Sequence, residues 1–285
     1  MHTQKSFAKQ SFGTLYLVPT PIGNLEDMTF RAVSTLQTVN LIASEDTRNT
    51  QKLLNHFEIK VPQRSLHEHN YKERIPELIE LLKQGKTIAQ VSDAGMPSIS
   101  DPGYELVQAC ILEQIAVVSL PGATAGMTAL IASGLSPQPF YFYGFLQRKK
   151  SQQKKELEEL KYQTATLIFY ESPHRVKETL KTIQEIMGER EVVVCRELTK
   201  LYEEYIRGTV QEVYDHLLEH PLKGECCLLV AGSTETAEKP LIEGSLKEQV
   251  EQLIREGKSS KEAIKDVAKR NQLKKQDVYK SYHEL

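Results

Sequence analysis

No G-x-G-x-x-G follows the first apolar run of this chain and no G-x-x-x-x-G-K-[ST] occurs in it, which speaks against a standard dinucleotide-binding turn and a P-loop. Cysteine is scarce: Cys110, Cys195, Cys226 and Cys227 include no C-x-x-C pair and lie in apolar surroundings, so reduced, buried thiols are expected. His67-Glu68-His69 lacks the spacing that puts two imidazoles on one helical face, and no cysteine pair supports a zinc site, so no metal is expected. A surplus of one charge is missing too. With 36 basic and 38 acidic residues the net charge is −2, which gives no global attraction to nucleic acid or to an anionic membrane; any basic site must be local. Long apolar runs are absent as well. The longest weakly polar stretch, Ile115 to Leu135, is split by Pro121-Gly122 into a strand, a turn and a small-residue helix ending at Gly134, where the left-handed position after a helix is expected. Residues Met1 to Phe12 are polar and basic without an apolar core, so no signal peptide and no membrane segment are expected, and cytoplasm is the default.

What is present is the alternation of an α/β protein. The 285 residues suggest about two domains at roughly 100 to 200 residues each. From Gly13 to about Tyr143, Leu15–Val18, Leu41–Ser44, Thr87–Val91 and Ile115–Leu120 read as strands buried on both faces of a parallel sheet. Helices are expected around Phe30–Leu36, from Thr47, over Glu73–Gln84, and from Asp101-Pro102 to Glu113. Phe140–Leu146 reads as an exit strand, and the basic run Arg148 to Lys155 marks a domain boundary, giving a first domain over 13–146 and a second over 147–232. The second contains Ala165–Tyr170, a helix capped by Ser172-Pro173 and stopped at Gly188, then Glu191–Cys195, Glu203–Arg207, a helix after Thr209, and Glu225–Ala231, in a mixed or antiparallel sheet. Ser233 to Gly244 is a linker by composition. The tail, 245–285, has three helix candidates and a capping box at Ser259 and Glu262. Between Lys258 and Lys280 eight basic residues face three acidic ones, a net of +5, so the rest of the chain carries −7 against the total of −2. Ala263 to Tyr279 has helix-turn-helix spacing, and a solvated face on a packing appendage fits the charge equally well.

Three turns rich in proline and glycine follow apolar runs: Pro19 to Asn24, Ser92 to Pro97 and Pro121 to Ala125. Strands of a parallel sheet end on one edge, where ligands settle and the next helix offers free N–H groups, so these turns read as one cradle. Asp93 is placed at that edge beside the small residues Ala94 and Gly95, where its carboxylate can accept from a ribose hydroxyl or an amine; alone, it would read as a residue capping its own turn.

Val18-Pro-Thr-Pro-Ile-Gly-Asn-Leu-Glu-Asp27, Glu45-Asp-Thr-Arg48, His67-Glu-His-Asn70, Ser92-Asp-Ala-Gly-Met-Pro-Ser-Ile-Ser-Asp-Pro-Gly103 and Tyr170-Glu-Ser-Pro-His-Arg175 together resemble the ribosomal RNA methyltransferase branch of the tetrapyrrole methylase superfamily. The likeness runs from about Gly13 to Gly232 with a matching helical tail; Met96, Ser98, Ala123 and Gln147 depart from the usual residues. It implies two α/β domains with a cofactor cleft between them plus a small helical tail, and S-adenosylmethionine-dependent 2′-O-ribose methylation of a cytidine in 16S rRNA at the decoding centre. The implied partners are 16S rRNA or the small ribosomal subunit and a second copy of the chain in a homodimer. Carried over by position, cofactor contacts fall at Ile22, Asp93, Met96, Thr124, Ala125 and Tyr170, with backbone near Leu201 and Cys226 closing the adenine side.

Attack of a ribose hydroxyl on a sulfonium methyl needs alignment and a proton acceptor. Glu45, Asp46, His69 and Glu171 are candidates on chemical type alone, and the sequence does not choose among them. Arg48, Arg175, Arg196 and Lys200 are candidates for phosphate contacts, with internal pairing to Asp46, Glu171 and Glu197 as the competing reading. His67 reads as a turn residue, and the run Arg148 to Lys155 as either an RNA guide or a solvated linker. A methyltransferase acting on a tetrapyrrole precursor would share the cleft but has no evident use for a basic tail. A non-catalytic nucleic-acid-binding regulator would leave the turns without a purpose.

Overall fold

The apolar runs become the strands of two separate sheets in the computed structural model, which describes residues 3–6, 8, 11–235, 244–255, 257–271 and 273–283. In the first sheet β1 (Thr14–Leu17), β2 (Leu41–Ser44), β3 (Gln63–Ser65), β4 (Ile88–Val91) and β5 (Ala116–Ser119) lie in the order β3-β2-β4-β1-β5, with every pairing parallel. The crossovers carry α1 (Phe30–Thr38), α2 (Thr47–His56), α3 (Tyr71–Lys83) and α4 (Tyr104–Leu112), and α5 (Ala125–Ser133) follows β5. Alternation along β1 sorts the two faces. Leu15 joins Leu78, Leu82, Leu106 and Cys110 beneath α3 and α4, whereas Tyr16 and Val18 turn toward Ala32, Leu36 and Leu54 of α1 and α2. Each fully buried Leu or Ile contributes roughly 1.5–3 kcal/mol, so both faces hold the sheet and fix the strand register.

Three local expectations are corrected. The helix expected from Asp101-Pro102 starts at Tyr104, with Gly103 at φ +130 in the cap position, and the Asp101 carboxylate turns back to hydrogen-bond with Ser92. The helix expected to be capped by Ser172-Pro173 starts at Val176; the Ser172 carbonyl accepts from the Arg175 and Val176 N–H groups in a preceding turn. The run Arg148 to Lys155 is largely helical, because Gln153, Leu157 and Leu160 give α6 (Lys150–Leu160) one buried stripe.

The second sheet holds β6 (Phe140–Phe145), β7 (Thr166–Glu171), β8 (Glu191–Arg196), β9 (Glu204–Thr209) and β10 (Cys226–Val230) in the order β6-β7-β10-β8-β9, parallel between β6 and β7 and antiparallel elsewhere. It is mixed, in line with its short connections. The segment Phe140–Phe145 follows the first sheet in sequence but pairs in the second. With α6, α7 (Val176–Met187) and α8 (Val210–Glu219), one face forms a core around Leu157, Phe169, Leu180 and Leu228. The other face packs Ile168, Val193, Cys195, Cys227 and Leu229 against Ala129 and Leu130 of α5. All four cysteines are free and buried.

The chain falls into two compact units, Met1–Ser233 and Thr234–Leu285, and both sheets belong to the first. The second unit is helical: α9 (Leu246–Arg255), α10 (Ser260–Arg270) and α11 (Lys275–His283) enclose Val250, Leu253, Ile264, Val267 and Val278. Ser259 and Glu262 form the expected capping box on α10. Of the expected linker, residues 236–243 lie outside the described residues. Among the described residues no helix is long and apolar enough to cross a membrane.

Candidate functional site

Because every strand of the first sheet is parallel, the turns after β1, β4 and β5 must leave from one edge, and hydrogen bonds then lock them together. The Thr20 N–H donates to the Gly95 carbonyl at 2.9 Å, the Gly95 N–H returns to the Thr20 carbonyl at 3.0 Å, and Thr20 Oγ1 donates to the Ser92 carbonyl at 3.1 Å. Gly95 has φ +75, and a Cβ there would lie 3.3 Å from Ile22 Cγ2 and 3.5 Å from the Ala123 carbonyl oxygen. One glycine thus touches all three turns. A Cβ on Gly122 would come within 2.5 Å of Pro19 Cβ, so the first and third turns also meet directly.

The third turn opens straight into α5, whose first residue follows Thr124, and Thr124 makes no side-chain capping bond. The expected supply of free N–H groups is partly used: the Gly126 N–H donates to the Tyr170 hydroxyl at 3.2 Å. The Tyr170 ring is held edge-on by Phe142 and Phe145, with centroids at 5.0 and 5.5 Å, and burial pushes its phenol pKa up. Ile22, Thr124, Ala125 and Tyr170 are therefore brought together from β1, α5 and β7, and half-buried Met96 sits in the adjoining β4 turn. Leu201 and Cys226 are further apart in character. Leu201 is exposed on the β8–β9 turn, and Cys226 starts β10 with its thiol pushed up to about 11 by burial. Contact with the cradle comes from neighbours that sequence reasoning assigned otherwise or missed: Thr199 Oγ1 accepts from the Asn24 N–H at 3.1 Å, and the Lys200 side chain lies where a Cβ on Gly23 would be.

On the β2 side the same edge is acidic. Asp93 accepts from the Asp46 N–H at 3.3 Å and from Asn49 Nδ2 at 3.0 Å, and its own N–H donates to Glu45 Oε2 at 3.3 Å. The geometry separates the four candidate proton acceptors. Half-buried Glu45 has its pKa raised, first by desolvation and then by the charges of Asp101, Asp93 and Asp46, against one lowering bond from the Asp93 backbone. Asp46 goes the opposite way, to about 2, because it caps α2 and takes the Arg48 guanidinium at 3.1 and 2.8 Å. The Glu171 carboxylate is buried and already accepts from Thr179 Oγ1 at 2.7 Å and the Ser172 N–H at 2.8 Å. His69 is exposed beyond β3 beside Glu68.

The four candidate cations also divide. Arg196 binds the Lys223 carbonyl at 2.9 Å and Glu204 at 3.0 Å. Lys200 bridges Glu197 and Glu225 at 2.9 and 2.8 Å, and Arg175 spans the Leu146 and Gln147 carbonyls and Glu171. Internal pairing, the competing reading, describes these three. Arg48 keeps 87% of its side chain exposed despite its pair with Asp46. Among the described residues no group of three or more His, Cys, Asp or Glu is placed to hold a metal ion.

A further residue organises the edge from below. Gln90, 1% exposed within β4, donates from Nε2 to Ser98 Oγ at 2.9 Å and to the Pro102 carbonyl at 3.2 Å. A Cβ at Gly103 would fall 1.6 Å from that nitrogen. The whole segment from Ser92 to Gly103 is thereby pinned onto its own strand, with Ser98 held at φ 67. A polar residue inside an otherwise apolar strand was the available signal.

Comparison with known proteins follows the same lines. Residues 14–214 match the family described as tetrapyrrole (corrin/porphyrin) methylases. A Streptococcus pyogenes serotype M1 protein named ribosomal RNA small subunit methyltransferase I is 56% identical over 100% of both chains. Proteins of the same name from Bacillus subtilis strain 168 and a Synechocystis species are 54% identical over 99% of both chains, and 47% identical over 96% of this chain and 98% of the other. Among solved structures, a cobalt precorrin-4 methyltransferase matches with TM-score 0.59 at 18% identity, covering 76% of this chain and 94% of its own. A uroporphyrin-III C-methyltransferase from Thermus thermophilus, complexed with S-adenosyl homocysteine, matches with TM-score 0.56 at 15% identity, covering 77% and 97%. Those two likenesses concern the fold.

Proposed function

The chain belongs to the tetrapyrrole methylase family and, within it, to the ribosomal RNA small subunit methyltransferases I, and from that premise we propose that it methylates the 2′-hydroxyl of a cytidine in 16S rRNA at the decoding centre, using S-adenosylmethionine. The observation that carries the substrate is the likeness to relatives of that name across the full chain. The tetrapyrrole-precursor reading has only fold-level likeness behind it, at 18% identity or below in the two structures compared.

The residues fit the cofactor. Gly95 and Gly122 let the three turns approach one another, the Thr124 side chain is not spent on capping and reaches the Tyr170 hydroxyl, and Ile22, Ala125 and Tyr170 supply an apolar wall of small and flat groups. When bound, S-adenosylmethionine supplies a methyl group on a positively charged sulfur. Transfer of that methyl to a ribose oxygen would require the hydroxyl proton to leave that oxygen. Glu45 takes that proton: its raised pKa makes it a stronger base than an ordinary carboxylate while leaving it able to ionise. Asp93 orients it, since the Asp93 N–H holds Glu45 Oε2. Arg48, exposed at the start of α2, contacts RNA phosphate.

The test is methyl transfer from labelled S-adenosylmethionine to small ribosomal subunits, followed by mapping of the labelled nucleotide; label at a ribose of the decoding centre is expected, and label in protein or nowhere refutes the reading. The +5 segment of the tail attracts the same RNA, so deleting 245–285 is expected to raise KM for the subunit and flatten its salt dependence with cofactor Kd unchanged. Loss of cofactor binding in that deletion would make the tail structural. A homodimer and a cytoplasmic location belong to the same proposal; sedimentation mass against 32.4 kDa per chain, and cell fractionation, check them.

A further inference from the structure

On the α2 side of the sheet edge lies a cleft of about 230 Å³, lined by Thr20, Gly23, Leu25, Thr50, Lys52 and Asp93 among others. It is bounded by the β1 turn on one wall and α2 on the other. Ile22 of that same turn packs with Ala125 and Tyr170 on the α5 side, so the turn has the cleft on one side and that apolar wall on the other. We propose that this cleft receives the target ribonucleotide, with its backbone phosphate on Lys52 and its sugar turned toward Asp93 and Glu45, while the cofactor occupies the α5 side. The inference rests on the methyl-transfer reading above and assigns its acceptor subsite.

Three independent features point to a ligand of this chemistry. Lys52 is exposed at the rim and makes no ion pair among the described residues; its nearest polar partner is Asn49 Oδ1 at 3.5 Å. Lys52 shares the cleft lining with Asp93, whereas Arg48, one turn earlier on α2, lies outside that lining and is paired with Asp46. Thr50 lines the cleft, is 4% exposed, and its hydroxyl has no hydrogen-bond partner. A buried hydroxyl left unsatisfied is costly, and rotation of the Thr50 side chain toward the cleft would let an entering sugar or base edge supply the missing partner. Leu25, 41% exposed on the short 3-10 turn Leu25–Asp27, gives the mouth an apolar lip suited to a base face. A cation, a hydroxyl and an apolar face around one carboxylate match a nucleotide.

The subsite predicts that substrate and cofactor respond separately. With full-length protein, small subunits and labelled S-adenosylmethionine, Lys52→Ala is expected to raise KM for the subunit about tenfold, as loss of a charge-assisted contact does, and to lower the salt slope of RNA affinity by about 0.7. Leu25→Trp, which blocks the mouth from an exposed position, is expected to do the same to KM without the change in salt slope. Kd for S-adenosylmethionine stays at the wild-type value in both. Unchanged KM in both variants, with the wild type active, overturns the acceptor subsite alone. Raised cofactor Kd in both shows that the cleft belongs to the cofactor and also overturns it. A wild-type enzyme that leaves the subunit unmethylated overturns the methyl-transfer reading, and the subsite with it.

Discussion

Replacing Glu45 with Gln lowers kcat for methyl transfer by about 10²- to 10⁴-fold, the usual worth of a positioned base, and at the same time raises the thermal midpoint at pH 7. Both effects have one origin. Gln keeps the shape and an oxygen that accepts from the Asp93 N–H, but it removes a charge that is partly desolvated and faces Asp101, Asp93 and Asp46. Since the folded pKa of Glu45 lies above its ordinary value of 4.5, the folded state holds the proton more tightly than the unfolded chain. Its contribution to stability is greatest below pH 4.5 and is lost as pH rises through the folded pKa, so at pH 7 the ionised carboxylate is a net cost that Gln removes. Catalysis runs the other way. The base must be ionised, so kcat falls as pH drops through that same raised pKa, and this acid limb disappears in Glu45→Gln. Such opposition of activity and stability is the mark of a functional charge placed against its surroundings. A variant with wild-type kcat rules Glu45 out as the proton acceptor, and one less stable than wild type at pH 7 rules out the raised pKa as the source of its strain; Asp101→Asn then becomes informative, because it relieves the same repulsion from a residue hydrogen-bonded to Ser92.

The cradle was legible because its causes are local. Short apolar strands, each followed by a turn with Pro or Gly, suit a buried parallel sheet, and parallel strands share an edge. Gly134 at φ +87 and the Ser259–Glu262 box were equally readable, since each depends on residues within a few positions. What was not legible depends on distant partners. β3 is three polar residues, Gln63–Ser65, that become a strand only because β2 lends an edge, with Ser44 Oγ donating to Gln63 Oε1 at 2.8 Å. The difference between Glu45 and Asp46 was closed to sequence for the same reason: they are neighbours, yet one faces Asp93 and Asp101 of the loop after β4 while the other caps α2 and binds Arg48. For Lys200 the sequence offered either a phosphate contact or pairing with nearby Glu197, and it could not show the second partner, Glu225, 25 residues further on. Gln90 could have been singled out, but its partners Ser98 and Pro102 could not.

Gly95→Val weakens S-adenosylmethionine binding by tenfold or more, and Gly85→Ala does not, although both glycines have positive φ. The comparison sets contact beside strain. At Gly85, with φ +85, an added Cβ meets nothing within 4 Å, so the substitution costs only the left-handed penalty of about 1–2 kcal/mol, and that penalty appears in unfolding rather than in ligand affinity. At Gly95 β-branched valine meets at least that penalty, with a Cβ 3.3 Å from Ile22 Cγ2 and 3.5 Å from the Ala123 carbonyl oxygen and two methyl groups added in that gap. Relief requires the β1 and β5 turns to move apart, which also strains the paired Thr20–Gly95 bonds of 2.9 and 3.0 Å. Ile22, Thr124 and Ala125 move with those turns, so the wall meant for the cofactor loses its spacing. A tenfold loss corresponds to about 1.4 kcal/mol, a modest demand on a wedge between two backbone segments. Calorimetric titration of both variants decides the matter: equal Kd values for Gly95→Val and wild type, in a variant whose unfolding midpoint shows it to be folded, would mean that the convergence of the three turns is architecture and that the methyl donor binds elsewhere.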